Sequence, residues 1–300
     1  MTMIKLRDLE YLDAIEQHRH FGKAATACFV SQPTLSGQLM KLEEQLGLQL
    51  VERHRHNVML TPAGEKLVVD ARKVLNAAQD FERQAKNLLD PFAGDIHMGL
   101  IPTLAPYLLP HVMAPLTKEL PNIQFLLHEN QTKILLQKLD EGKLDVLVLP
   151  YLEEMNKFEC YDLFDEPLVL ATPENHPLNN ETNLSLHHLH EHNILTLEDG
   201  HCLKDQAMGY CFSAGAKEDA SFQATSLETL RHMVANGAGI TLLPALATMG
   251  VSTSNNIAYL PFSEPQPTRK ISLVIRPNYS RMQCVRKIVA TIRQAVKGIV

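Results

Sequence analysis

The sequence predicts an α/β protein: an N-terminal winged helix-turn-helix, one long helix, and a C-terminal region of two α/β lobes. Three observations predict it. Two short segments with helically spaced apolar residues are joined by a tight turn and followed by a hairpin-like stretch. A solitary apolar seam runs from Leu67 to Leu88, in steps of about 3.5 residues. From Asp95 onward, strand-like and helix-like runs alternate.

A chain of 300 residues has room for two or three domains with buried cores. Its 45% hydrophobic and 21% charged residues exclude wholesale disorder. No apolar run reaches the roughly 18 residues of a membrane span. The opening, MTMIKLRDLEYLDAIEQ, puts acidic residues where a signal peptide needs an unbroken apolar stretch, so the cytoplasm is the expected location. The net charge of -6 lends nucleic-acid binding no support. Nor is the N-terminal part basic: Lys5, Arg7, Arg19, Lys23, Lys41, Arg53 and Arg55 equal in number Asp8, Glu10, Asp13, Glu16, Glu43, Glu44 and Glu52. A DNA-binding reading therefore rests on pattern and local placement.

Leu6, Leu9, Leu12 and Ile15 line one face of a first helix. A second fits Phe21 to Phe29, with Ala24, Ala25 and Cys28 turned inward. Val30 and Ser31 break it. Ser31 suits an N-cap, Pro33 is tolerated in a first turn, and Leu35, Leu39, Leu42 and Leu46 form the buried stripe of a third helix up to Gly47. In such a motif the start of the later helix faces base edges in the major groove. Gln32, Pro33, Thr34, Ser36 and Gln38 are therefore the candidate DNA-facing residues. A Gln amide can engage adenine through two hydrogen bonds, and a Thr methyl can touch thymine. Taken singly, Ser31 and Thr34 are equally suited to capping and solvating the helix. The stretch LQLVERHRHNVMLT reads as a hairpin wing whose polar tip brings Arg53 and Arg55 to phosphates.

Thr61 and Pro62 look like the N-cap and first residue of a long helix reaching about Leu89. Leu67, Ala71, Val74, Leu75, Ala78, Phe81, Ala85 and Leu88 form its seam, which a second copy of the chain would bury. Asp90, Pro91 and Gly94 end it. Beyond it, IHMGLI, a helix around Leu108 to Glu119, IQFLLHE, a helix around Thr132 to Glu141 and DVLVLP argue for a mostly parallel sheet. Further strands fit Leu168 to Ala171, Asn193 to Leu197, Ile240 to Leu243 and Ile271 to Ile275, and Val285 to Val296 fits a closing helix.

The five cysteines, Cys28, Cys160, Cys202, Cys211 and Cys284, are odd in number and lack the close spacing of a zinc site. In a reducing compartment they build no stable disulfide framework, which leaves a transient redox pair open. On spacing alone, Cys202 and Cys211 read better as two unconnected small residues. His187, His188, His190 and His192 match no closed tetrahedral ligand set and read as a solvated stretch. Neither a phosphate loop nor a dinucleotide fingerprint is present, so no cofactor, metal or ordinary enzymatic turnover is expected.

The unit FGKAATACFVSQPTLSGQLMKLEEQLGLQLVER, with LTPAGEKL behind it, resembles the LysR-type transcription regulators. The resemblance spans the whole chain and implies a linker helix and a two-lobed regulatory domain of the periplasmic-binding-protein type. Three stretches narrow it to the OxyR-type peroxide sensors: GHCLKDQAMGYCFSAGA, ATSLETLRHMVANGAGITLLPALA and YLPFSEPQPTRKISLVIRP. The expected boundaries are a DNA-binding domain over 1–61, a dimerisation helix over 62–90 and a sensing domain over 91–300. Within the last, lobe I takes about 91–166 and 269–300, and lobe II about 167–268.

The resemblance implies that Cys202 is the peroxidatic thiol and Cys211 the resolving one, joined by a disulfide on oxidation. It carries Thr103 in LIPTLAP, Thr132 in ENQTK, Gln206 in HCLKDQ and Arg269 in PTRKISL into a peroxide pocket, beside His201, the immediate neighbour of Cys202. An ordinary thiol, with a pKa of about 8.5, is only slightly ionised at neutral pH, and the thiolate is the nucleophile, so a sensor needs a cation and donors nearby. If 202–211 were one helix, its ends would lie about 13 Å apart. A disulfide needs Cα atoms roughly 4.4–6.8 Å apart, so bonding would force the segment to refold. The implied partners are operator DNA, a second copy and then a dimer of dimers, RNA polymerase, hydrogen peroxide, and glutaredoxin or thioredoxin as reductant. Two alternatives stand beside this: a LysR-type regulator with a small organic effector in the inter-lobe cleft, and a DNA-tethered thiol peroxidase.

Overall fold

The computed structural model describes residues 4–53, 58–87, 90–249 and 256–299. The chain divides into two compact units, Met1–Leu88 and Leu89–Val300.

The first unit contains α1 (Leu6–His18), α2 (Phe21–Ala27), α3 (Gln32–Leu46), the antiparallel pair β1 (Val51–Arg53) and β2 (Val58–Leu60), and α4 (Pro62–Asn87). Local chemistry sets each boundary. The His20 ring accepts hydrogen bonds from the Gly22 and Lys23 N–H groups and so starts α2. The Ser31 hydroxyl accepts from the Thr34 N–H at 3.3 Å, Pro33 occupies the first turn of α3, and Gly47 ends that helix at a φ of 67°. The second helix stops before Phe29 because that residue takes a positive φ of 56°. Its ring is 92% exposed. Leu12, Ile15, Ala24, Leu35, Leu39, Leu42, Leu50 and Val68 close the core. Arg72 of α4 reaches Asp13 and Glu16 of α1 at 2.6 and 2.7 Å, locking the long helix to the motif. On α4 Ala71 is buried, whereas Val74 and Phe81 of the expected seam are exposed; Leu88 lies outside the described residues.

Gly64, in the first turn of α4, has no room for a side chain: a Cβ there would sit 2.1 Å from the Leu50 carbonyl oxygen. Gly64→Ala is therefore expected to destabilise the first unit by at least about 1–3 kcal/mol, read from urea unfolding. An unchanged midpoint would show that the loop before β1 is free to move.

The second unit runs β3 (Gly94–Leu100), α5 (Ala105–Glu119), β4 (Ile123–Glu129), α6 (Thr132–Asp140), β5 (Val146–Pro150), β6 (Glu159–Pro173), β7 (Asn193–Leu197), α7 (Cys202–Ser213), β8 (Lys217–Ala224), α8 (Leu227–Ala235), β9 (Thr241–Pro244), β10 (Ile257–Pro261), β11 (Thr268–Ile275) and α9 (Met282–Val296). The main sheet has the order β10-β6-β11-β5-β3-β4, with β9 also on β6, while β7 pairs with β8. The sheet is mixed, not mostly parallel as the strand–helix alternation suggested. The β3/β4, β3/β5 and β7/β8 pairs are parallel, and β5/β11, β6/β11, β6/β10 and β6/β9 are antiparallel. Parallel neighbours need a long crossover, which α5 supplies between β3 and β4 and α7 between β7 and β8.

Two apolar clusters form the core of this unit. The first gathers Met98, Leu100, Leu108, Leu135, Val148, Leu273 and Ile288; the second gathers Leu168, Leu170, Ile194, Leu203, Leu230 and Leu242. Strand β6 serves both, with Leu163 in the first and Leu168 in the second. The chain passes from one to the other at Pro167 and returns at Thr268, and these two residues are register partners.

Candidate thiol site and nucleic-acid interface

Cys202 is the first residue of α7 and Cys211 lies in its last turn. Both are buried free thiols. They belong to different cores: Cys202 packs in the first cluster and Cys211 in the second. Continuous helix separates their Cα atoms by about 13 Å, beyond the reach of a disulfide.

Cys202 faces a crevice formed with Ile101, Pro102, Thr103, Gln131, Thr132, Gly200 and His201. This crevice is too tight to take a water-sized sphere. Behind it stands Arg269 of β11, paired in register with Glu166 of β6. Both side chains are fully buried. Arg269 Nε donates to Glu166 Oε2 at 2.7 Å, Nη1 to Thr103 Oγ1 at 3.1 Å and Nη2 to the Thr103 carbonyl at 2.9 Å. The second Glu166 oxygen accepts from the Leu246 N–H at 3.2 Å. A buried ion pair needs such extra bonds to offset the loss of hydration. Thr103 is thereby fixed from two directions.

Burial pushes the Cys202 thiol up from its ordinary range; Thr132 and the Arg269 guanidinium pull it down, and Asp205 adds to the rise. Thr132 Oγ1 is buried with no hydrogen-bond partner among the described residues, and it is one of the groups that lower the Cys202 thiol. His201 is buried, and its Nε2 lies 3.9 Å from Glu198. Thr132, Arg269 and the Cys202 backbone N–H act to lower the thiol, and Asp205 to raise it. Gln206 stands one turn along α7 and does not line the crevice, although its Oε1 is buried and unpartnered. Burial alone pushes the Cys211 thiol up to about 12. Sequence reasoning missed two residues. Glu166, in FDEP, reads as a surface acid until strand register sets it opposite Arg269. Gln131 packs over Gly200, where a Cβ would lie 2.9 Å from its Oε1.

In the first unit, Gln32, Pro33 and Thr34 are exposed at the start of α3, and Ser36 and Gln38 are half-buried. The Thr34 hydroxyl bonds to that of Ser31 at 2.7 Å. Arg53 is not free on the wing: Nη2 binds Glu43 Oε2 at 2.6 Å and the guanidinium lies over the Phe21 ring. The other Glu43 oxygen accepts from the Leu50 and Val51 N–H groups and holds β1 in place. Arg55 lies outside the described residues. Among the described residues, no group of three or more His, Cys, Asp or Glu side chains is placed to hold a metal ion.

Comparison with known proteins places these features in a family. Residues 6–65 match the bacterial regulatory helix-turn-helix protein of the lysR family, and residues 90–297 match the LysR substrate binding domain. The chain is 48% identical over 295 residues to the DNA-binding transcriptional dual regulator OxyR of Escherichia coli K12, covering 98% of this chain and 97% of that one. It is 43% identical over 296 residues to the hydrogen peroxide-inducible genes activator of Haemophilus influenzae, covering 99% and 98%. Among solved structures, a full-length OxyR variant from Pseudomonas aeruginosa matches with a TM-score of 0.77 at 34% identity, covering 98% of this chain and 96% of that one. An H2O2-bound OxyR mutant from Corynebacterium glutamicum matches with a TM-score of 0.68 at 34% identity, covering 99% and 94%. With a regulatory helix-turn-helix ahead of a two-lobed α/β unit, and with these likenesses along nearly its whole length, the chain belongs to the LysR family of bacterial regulators and, within it, to the OxyR type.

Proposed function

We propose that the chain is a hydrogen peroxide-responsive DNA-binding transcription regulator, switched by oxidation of Cys202 and its disulfide bonding to Cys211. The observation that carries this is the seat of Cys202, a thiol at a helix start with a buried guanidinium and a partly unsatisfied threonine hydroxyl beside it. The thiolate attacks one peroxide oxygen, the O–O bond breaks, and the leaving hydroxide takes a proton to become water, leaving a sulfenic acid. The Cys211 thiolate then attacks that sulfur and a second water leaves as the disulfide forms. Thr103 and Thr132 orient the peroxide and Arg269 favours thiolate and leaving oxygen, with Gln206 and His201 joining them during attack. Arg269 acts through its charge and through Thr103, with three of its five N–H donors engaged by Glu166 and Thr103. Glutaredoxin or thioredoxin would supply the electrons that reset the pair in the cytoplasm.

On the DNA side, Gln32, Pro33, Thr34, Ser36 and Gln38 read bases. Arg53 and Arg55 hold phosphates, Arg53 by exchanging Glu43 for the DNA backbone. The exposed Val74 and Phe81 of α4 support self-association to a dimer, and a tetramer in turn, before engagement of RNA polymerase. Peptide mapping by mass spectrometry after a brief stoichiometric peroxide pulse, with Cys202→Ser alongside, tests the switch. A Cys202–Cys211 linkage is expected in the wild type and absent from the variant; unmodified thiols in the wild type would sink the reading.

A further inference from the structure

Helix α7 carries a residue whose bonds the chemistry above does not use. Tyr210, directly before Cys211, sends its hydroxyl to the backbone of β11: Oη donates to the Thr268 carbonyl at 3.0 Å and accepts from the Thr268 N–H at 3.3 Å. The reason lies in the sheet. Leu168 N–H donates to the Pro267 carbonyl, so Thr268 and its register partner Pro167 form a non-hydrogen-bonded pair. On the other side the β5 ladder ends at Ile271. Thr268 is thus left with a donor and an acceptor that no strand serves, and one phenolic hydroxyl satisfies both. Thr268 marks the return between the two cores, and its neighbour Arg269 is the cation beside Cys202.

We propose that the Tyr210 hydroxyl is a positioning group of the redox switch: it ties α7 to the crossover of the two lobes in the reduced form and so sets the reduction potential of the Cys202–Cys211 pair. This rests on the disulfide reading above. Closing the bond brings Cα atoms from about 13 Å to roughly 4.4–6.8 Å. The residues between the cysteines must leave the helix, and Tyr210 is one of them. The two bonds to Thr268 then stabilise the reduced state and not the oxidised one. The ring packs against the second core, so Tyr210→Phe keeps that packing and removes only the hydroxyl.

The test is a glutathione redox titration of the purified full chain, following the Cys202–Cys211 linkage by thiol-trapping mass spectrometry in wild type and Tyr210→Phe. Tyr161→Phe is the control, since the Tyr161 hydroxyl bonds the Glu159 carboxylate at 3.1 Å and not the crossover. Loss of two neutral hydrogen bonds is expected to shift the equilibrium toward disulfide by about tenfold, a midpoint about 30 mV more negative. The control should not move. In the wild type, hydrogen exchange at the Thr268 amide should quicken on oxidation, a reading that needs no variant to fold. Equal midpoints with the disulfide formed in both proteins, or unchanged Thr268 protection, would overturn the tether. A wild type that forms no such linkage at any poise would instead remove the disulfide reading itself, and the tether's role with it.

Discussion

Replacing Arg269 by methionine is expected to destabilise the second unit by about 3–5 kcal/mol, because the fully buried Glu166 carboxylate loses its counter-charge. The same change releases Thr103, which Arg269 holds at both its hydroxyl and its carbonyl. It also removes one of the groups that pull the Cys202 thiol down. Oxidation by peroxide should slow by about tenfold or more, since an adjacent cation shifts a pKa by 1–3 units. Urea unfolding and stopped-flow oxidation measure the two effects separately. Glu166→Gln placed on top of Arg269→Met should recover much of the stability and none of the rate. A single variant as stable as the wild type would show that the pair is not buried in solution.

Cys211→Ser separates attack from resolution. Peroxide should convert Cys202 to a sulfenic acid that persists and is captured by dimedone, whereas the wild type passes on to the disulfide and yields little adduct. The pH profile of the second step carries the sharper expectation. With burial holding Cys211 at about 12, resolution from the folded reduced geometry would keep accelerating to very alkaline pH. If α7 unwinds first, Cys211 meets water and the rate levels off near the ordinary thiol value of about 8.5. The helical separation requires the second course. Quenched-flow measurement between pH 6 and 10 distinguishes them, and a rate still rising tenfold per unit at the top of that range would count against unwinding first. The raised value has a stability sign as well. Cys211 keeps its proton in the fold after the unfolded chain has lost it, so the reduced form should lose stability as pH climbs from about 8.5 towards about 12.

The sequence was most legible where a local rule acts alone. Ser31, Pro33 and Gly47 bracket α3, and IQFLLHE and Asn193–Leu197 coincide with β4 and β7. Legibility failed where partners are distant. Only Leu168 to Ala171 of β6 was visible, because Glu159, Asp162 and Asp165 interrupt the apolar signal along a strand of 15 residues. The strands β8 and β10 carried no pattern strong enough to name, since β8 opens on three consecutive charges, and α8 went unnamed although Ser226 caps it and Leu227, Leu230 and Val234 are helically spaced. At the thiol site, Cys202, Thr103, Thr132 and Arg269 are brought together from four separate elements or their edges. No spacing in the sequence could relate them. Glu166 was invisible for the same reason, since only the β6/β11 register gives its carboxylate a partner. On the wing, Arg53 was read as a free cation because Glu43 lies on the preceding helix.

The pairing of Pro167 with Thr268 makes the second core an insertion whose two ends meet. All its members lie between Leu168 and Phe262, and its entry and exit strands stand one register step apart. Joining such ends costs little loop-closure entropy, because facing residues of an antiparallel pair are only about 4.5–5.5 Å apart. The segment is therefore built as a detachable module. A two-residue turn in place of 168–267 would close the host sheet, and the excised piece, which carries both Cys202 and Cys211, could be cyclised on itself and its thiols titrated away from the Thr103 and Arg269 of the host.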